Sequence, residues 1–343
     1  MHILDFSEHI SSAVAFNNKV AGHDGVLQDP SGTVVIKPAA ENEIAFYQSL
    51  AVHPAFASIS PQFYGVLELC EDTMINDSTQ TLHGAKGAEH AIVLENLTAG
   101  FKRPSVIDVK LGRQLWDEMA SPEKRKRLNE VASNTTSGSL AMRIAGMKVW
   151  NPDISDFAVY DKNYGRKFSS EDIIDGVNNF FPKGMTLEMK RVIIQQLLSE
   201  IDIIATVVEA EEIRLYSASI LAAYETDPVA FSEAMKFENE ERRYNNNKND
   251  HDDDDHENVE FEETAVESLE SGGLLIEHVS LSTVSDFAAP ESDDDEDICH
   301  RICSVKMIDF AHATWVPGQG KDKNVLEGVY NLRRIFANIL SEI

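Results

Sequence analysis

Cysteine is scarce in this chain: Cys70, Cys299 and Cys303 are the three in 343 residues. They are too few for a disulfide framework, and Cys299-His-Arg-Ile-Cys303 lacks the second ligand pair that a zinc site needs. Long apolar runs are missing too, so neither a secretory leader nor a membrane-spanning helix is expected. The expected setting is reducing, in the nucleus and cytoplasm. The sequons at Asn76, Asn96 and Asn134 therefore carry no weight. Also absent are the phosphate loop G-x-x-x-x-G-K-[ST] and the H-R-D and D-F-G strings, which disfavours P-loop and protein kinases. Positive charge is in deficit, with 30 Lys and Arg against 58 Asp and Glu and a net charge of −28. That balance argues against direct nucleic-acid binding while leaving room for a local basic pocket built for a polyanion.

The negative charge is concentrated. Between Glu238 and Asp297 there are 22 acidic residues against three basic ones. This stretch is also serine-rich and poor in aromatics, so it buries too little apolar surface to offset its ordering entropy. A disordered acidic insert over 238–297 is the expectation. His251 and His256 bracket Asp252–Asp255, which reads as a solvated acidic tract in the absence of any imposed geometry. At 343 residues the chain is long and apolar enough for one large domain or two lobes around a core.

Pro104-Ser-Val-Ile-Asp-Val-Lys-Leu-Gly112 is an apolar strand that carries two opposite charges. Side chains alternate across a strand, so Asp108 and Lys110 face the same way. They form either a solvated ion pair or half of a charged site, and Gly112 permits close approach of a ligand to the backbone. Upstream, Asp29-Pro-Ser-Gly32 and the β-branched run Thr33–Ile36 predict a hairpin ending in Lys37. Lys37 is a snorkelling surface lysine or a phosphate holder. Glu43 lies near the start of a predicted helix over 41–51 and can pair with it. Strands at 62–68 and 91–94 flank a polar loop over 69–90, and the second ends in Glu95-Asn96-Leu97.

Further along, 113–131 reads as a helix interrupted at Ser121-Pro122. Its run Glu123-Lys-Arg-Lys-Arg127 has three readings: a solvated face, a substrate-phosphate patch or a nuclear-import signal. Residues 137–148 read as a strand in which Arg143 is either ion-paired or faces an anion. A short helix at 169–181 and a long one at 186–214 follow, the latter with a core stripe from Ile193 to Val208. A strand over 214–224 comes next. Val305–Ile308 then delivers Asp309, a carboxylate suited to a hard cation, and 322–341 forms a final helix.

Taken in order, P-x-x-x-D-x-K-x-G at 104–112, T-x-S-G-S-L-x-x-R-I-x-G-M-K at 135–148, Tyr160–Arg166 and Ile308-Asp-Phe-Ala-His312 resemble the signatures of the inositol polyphosphate kinase family. The likeness spans nearly the whole chain outside its leader and the acidic insert. It implies an α+β, two-lobed inositol polyphosphate kinase fold of the protein-kinase and ATP-grasp type. Residues 1–97 would be an N-lobe, 98–237 a C-lobe with the inositol phosphate segment, 238–297 the insert and 298–343 the C-lobe completion.

The resemblance also assigns roles. ATP would be held by Lys37 and by backbone groups of a hinge at Glu95 and Leu97. Lys110 would bridge the γ-phosphoryl and the accepting hydroxyl. Asp108 would be either the base or a ribose anchor. Mg2+ would sit on Asp309, with Ser219 a weaker ligand, since Ala218 stands where the family has a serine. Substrate phosphates would meet Lys102, Arg103, Lys124, Arg143, Lys148 and His312. About 25 residues between Gly112 and Gly138 leave no room for the larger substrate-binding subdomain of dedicated trisphosphate 3-kinases, so a multikinase of fungal type is implied. It would take inositol trisphosphate through tetrakis- to pentakisphosphate, with a hexakisphosphate kinase as the alternative within the family and a phosphoinositide contact left open. Fungal members are linked to transcriptional control of arginine metabolism, which implies transcription factors as partners of the insert. A non-enzymatic scaffold acting through that insert is the competing class of function.

Overall fold

The structure is a computed structural model that describes residues 13–16, 18, 20, 25–68, 90–249 and 301–343, the side chains of 244–249 excepted. The loop expected over 69–90 falls almost wholly outside them, as do Cys70, Cys299, His251, His256 and the insert from 250 onward. By contacts, residues 1–238 and 299–343 form one compact unit and 239–298 another.

The first unit is built on two antiparallel sheets. The smaller contains β1 (Val14–Ala15), β2 (Leu27–Gln28), β3 (Val34–Pro38), β4 (Phe63–Glu68) and β5 (His90–Glu95), in the order β1-β2-β3-β5-β4. The expected hairpin is β2–β3, closed by Asp29, whose carboxylate accepts the Val34 and Ser31 amides. Helix α1 (Glu41–Ser49) follows β3, and α2 (Pro54–Ser58) precedes β4.

The larger sheet begins with β6 (Pro104–Leu111), the strand with the paired charges. Its order, β11-β10-β6-β7-β8, puts β6 at the centre between β7 (Met142–Asn151) and β10 (Ser219–Glu225). The remaining strands of this sheet are β8 (Asp156–Tyr160) and β11 (Cys303–Ile308), while β9 (Ile213–Leu215) pairs with β12 (Ala313–Trp315) in a two-stranded ribbon. Period-two alternation explains why β6 is central: Ile107, Val109 and Leu111 enter the main core, and Asp108 and Lys110 lie on the opposite face.

Two long helices cover the core face. Leu187–Ala210 buries Ile193, Ile194, Leu197, Ile201, Ile204 and Val208, and Lys323–Ser341 buries Val325, Val329, Leu332, Ile335, Phe336 and Ile339. Each such side chain contributes roughly 1.5–3 kcal/mol of hydrophobic stabilisation. Thr186 and Asp322 cap these helices with side-chain oxygens that accept amide hydrogens of the first turn.

Four sequence expectations are corrected. Residues 113–121 are not helical; the helix is Pro122–Ser133. Proline holds Ser121 extended and supplies the first helical residue, while Ser121 Oγ accepts the Lys124 amide at 3.2 Å. The Arg113 and Gln114 amides are instead tied to Asn324 Oδ1 at 2.7 and 2.9 Å. Residues 136–140 form a short helix capped by Thr135 and stopped by Ala141 at φ 53°, so the strand starts only at Met142. The strand over 214–224 is two strands, broken at Ser217, whose φ is 58°. The helix from Pro228 runs to Asn249, so residues 238–249 of the predicted disordered insert are helical.

Candidate active site

The site forms where charged residues from both sheets meet. On β6 and its neighbours the register places Arg143, Lys110, Ser219 and Ile308 in one row across four strands. The next residue after that row is Asp309. It has φ 67°, a left-handed conformation that aspartate tolerates better than most residues.

Asp309 joins the two lobes. Lys37, in β3 of the small sheet, donates from Nζ to Asp309 Oδ1 at 2.9 Å and to Glu43 Oε1 at 2.7 Å. Glu43 lies in the first turn of α1 and is 3% exposed, so Lys37 is the counter-ion that permits its burial. Burial pulls the Lys37 pKa down, but Asp309 and then Glu43 overcome it and hold the ammonium well above its ordinary range. Lys110 donates from Nζ to the Ser217 carbonyl at 2.6 Å and lies 3.8 Å from Asp309 Oδ2. The break at Ser217 aims that carbonyl.

Asp108 is buried, and its Oδ1 has no hydrogen-bond partner among the described residues. Burial pushes its carboxyl up to about 6; Lys110 opposes that shift, Asp309 adds to it, and Ser219 and Arg143 oppose it further. It is therefore an ionised acceptor at neutral pH. Ser219, within the row, is fully buried. Arg143 donates to Ser137 Oγ at 3.0 Å, and burial, then Arg166, lowers its pKa while Asp108 opposes.

A cavity between the sheets is lined by Val35, Lys37, Leu94, Glu95, Leu97, Asp108, Leu221 and Asp309, among others. Its apolar walls suit a planar ring, and its floor carries the charges. The strand β5 ends there. Arg301 stiffens the exit: its Nη1 lies 3.3 Å from Glu95 Oε1, and its Nη2 donates to the Leu97 and Ala99 carbonyls at 3.2 Å each.

A second group lies beyond Ser217. His312 Nδ1 stands 2.5 Å from Asp117 Oδ2, and Lys124 Nζ is 3.4 Å from His312 Nε2. These three line one open pocket with Arg214 and Tyr216.

Of the residues singled out from sequence, Lys37, Glu95, Leu97, Asp108, Lys110, Ser219 and Asp309 converge on the inter-sheet cleft, with Arg143 beside Lys110. Lys124 and His312 meet in the adjoining pocket. Lys148 lies further along β7, donating to Asn18 Oδ1 at 2.8 Å and standing 4.4 Å from the Phe157 ring centre. Lys102 and Arg103 precede β6 at its far end, where both pair with Asp227, and they are not brought to the cluster. Gly112 serves the chain rather than a ligand: its φ is 92°, and a Cβ there would come within 2.6 Å of Asn324 Nδ2. Sequence reasoning missed Arg301, Asp117 and Ser217. Nothing local marks them, because each acts on a partner distant in sequence.

Residues 91–337 match the family model for inositol polyphosphate kinase. The inositol polyphosphate multikinase of Saccharomyces cerevisiae is 30% identical over 364 aligned positions, covering 93% of this chain and 96% of that protein. That of Schizosaccharomyces pombe is 31% identical over 212 positions, covering 61% and 78%. Among solved structures, inositol phosphate multikinase Ipk2 of S. cerevisiae in complex with ADP and Mn2+ aligns with a TM-score of 0.61 at 28% identity, covering 90% of this chain and all of that one.

Proposed function

The chain belongs to the inositol polyphosphate kinase family, and from that premise we propose that it is an ATP-dependent multikinase. It transfers the γ-phosphoryl of ATP to hydroxyls of inositol 1,4,5-trisphosphate and inositol tetrakisphosphate, giving the pentakisphosphate through 6- and 3-kinase steps. One observation carries this reading: Lys37 and Lys110, from different sheets, converge on Asp309 at 2.9 and 3.8 Å.

Phosphoryl transfer depends on positioning and on neutralising charge on the transferred group. Lys37 binds the nucleotide phosphates, oriented by Glu43. Lys110 meets the γ-phosphoryl and holds the accepting hydroxyl in line. Asp108 lines the same cavity as Glu95 and Leu97, which favours the ribose as the hydroxyl that fills its Oδ1. Arg143 adds positive charge beside Lys110.

The donor set fits a divalent cation. Asp309 presents a partly exposed carboxylate next to buried Asp108 and Ser219, and among the described residues no cluster of three His, Cys, Asp or Glu is present. Such a site suits a hard ion that takes one or two carboxylates and completes its shell with phosphate oxygens and water, as Mg2+ does. It would neutralise phosphate charge when bound.

Substrate phosphates meet Lys124 and His312 in the open pocket. Nuclear and cytoplasmic residence, and transcription factors as partners of the acidic insert, belong to the same reading; the basic run 123–127 supports the first and the charge of 238–297 the second. A scaffold without activity would have no use for the Lys37–Asp309–Lys110 arrangement.

Incubation with ATP, Mg2+ and inositol 1,4,5-trisphosphate, resolved by anion exchange, tests the assignment. Sequential tetrakis- and pentakisphosphate peaks are expected. Failure to phosphorylate any inositol phosphate would refute it.

A further inference from the structure

The structure assigns Asn18 and Lys148 a role in nucleotide binding: we infer that they are positioning residues that seat Phe16, Asn18 and Val20 as a wall of the ATP cavity. This inference rests on the proposal that the cavity between the sheets holds ATP.

The N-terminal stretch reaches that cavity from the edge of the small sheet. It continues from β1, and the Phe16 amide donates to the Val26 carbonyl at 3.2 Å. Phe16, Asn18 and Val20 then line the same cavity as Lys37 and Asp108. Phe16 and Val20 extend the apolar surface that a planar base meets there.

Two residues of β7 receive the stretch. The register sets Gly146 opposite Asp108 and Lys148 opposite Val106, so both belong to the face of the large sheet that carries the site. A Cβ on Gly146 would stand 2.0 Å from the Val20 carbonyl oxygen. The chain can cross β7 at that point only because Gly146 has no side chain. Val20 packs there against Phe101, Val106 and Ala223. Two positions further on, Lys148 Nζ donates to Asn18 Oδ1 at 2.8 Å and lies 4.4 Å from the Phe157 ring centre.

Asn18 stands in the middle of a directional chain of hydrogen bonds. Its Nδ2 donates to Thr98 Oγ1 at 3.0 Å, the Thr98 hydroxyl donates to Asn96 Oδ1 at 2.8 Å, and Asn96 Nδ2 donates to the Gly32 carbonyl at 2.6 Å. Every donor meets an acceptor, and each bond polarises the next. The chain runs from β7 of the large sheet, through the N-terminal stretch and the residues after β5, to the turn between β2 and β3. Asn96 and Thr98 themselves line the cavity. Lys148 therefore acts on the nucleotide side, through Asn18, rather than as the contact to a substrate phosphate that the family motif implied.

Titration calorimetry of the full chain with ADP and Mg2+, beside steady-state kinetics with ATP and inositol 1,4,5-trisphosphate varied separately, tests the role. Asn18→Ala and Lys148→Met are each expected to weaken ADP binding and raise KM for ATP about tenfold, the size of one lost hydrogen bond to a charged group. KM for the inositol phosphate and kcat should stay within twofold, with melting temperatures near the parent's. In a Lys148→Met background, Asn18→Ala should add little. If Lys148→Met melts too early to be titrated, Asn18→Ala decides alone. Unchanged ADP affinity in folded Asn18→Ala refutes the positioning role, as does a loss shared equally by ADP and the inositol phosphate. If Lys148→Met raises only KM for the inositol phosphate, Lys148 is a substrate contact and the inference fails. If the folded parent binds no ADP, the nucleotide reading of the cavity fails, and this inference fails with it.

Discussion

Lys37 and Asp309 are 272 positions apart in sequence, and their Nζ and Oδ1 atoms are 2.9 Å apart in the fold. The pair connects a strand of the small sheet to the end of a strand of the large one. It makes the cleft between them a charged site rather than a seam.

Lys37 also neutralises buried Glu43, so its removal should affect folding as well as catalysis. Lys37→Met leaves a carboxylate buried without its main counter-ion, which costs roughly 3–5 kcal/mol. The double variant Lys37→Met/Glu43→Gln should recover much of that stability in urea melts without recovering ATP turnover. Recovery of both would mean that Lys37 is structural only.

Asp108 gives a pH signature. Burial lifts its folded-state pKa to about 6, above the ordinary aspartate range, so the folded state binds the proton more tightly than the unfolded chain. The protein therefore loses stability as pH rises between about 4 and 6, by on the order of 2–3 kcal/mol. Asp108→Asn removes the titration. Its melting temperature relative to the parent should increase across that window and stay level above it. A difference independent of pH would show that Asp108 is not held protonated by burial.

Arg301 supports the hinge through Glu95 and two carbonyls. Loss of such charge-assisted bonds costs about 1.5–3 kcal/mol. Arg301→Ala should raise KM for ATP at least tenfold while leaving KM for the inositol phosphate near its original value. Equal changes in both constants would contradict a role confined to the nucleotide side.

Gly112 separates backbone from ligand roles within the motif. Gly112→Ala forces a β-carbon onto φ 92° and against Asn324. A cost of about 1–3 kcal/mol in denaturant melts is expected, with KM for both substrates unchanged at a temperature where the variant is folded. A raised KM would return Gly112 to the ligand.

The elements legible in the sequence were those whose pattern is local. Period-two alternation located β6 and placed Asp108 and Lys110 on one face, and the stripes at 193–208 and 325–335 located the two long helices. The misreadings share a different cause. Residues 113–121 have helix-compatible composition, but Pro122 and the tie to Asn324 settle them as an irregular segment. Ser137–Ala141 and Ser217 turn on single left-handed residues, Ala141 and Ser217, that are not glycine and so give no signal. Arg301 and Asp117 do their work across long sequence separations. Lys102 and Arg103, which the family resemblance implied as substrate contacts, pair instead with Asp227 in the fold.

The most direct test of the Lys37–Asp309–Lys110 centre is a single-turnover measurement with γ-labelled ATP, Mg2+ and inositol 1,4,5-trisphosphate, comparing the parent chain with Lys110→Ala and recording thermal melts alongside. Transfer of label by the parent, reduced about a thousandfold in the variant with little change in melting temperature, is the predicted result. Undiminished transfer by Lys110→Ala, or loss of transfer only in step with loss of folding, would contradict it.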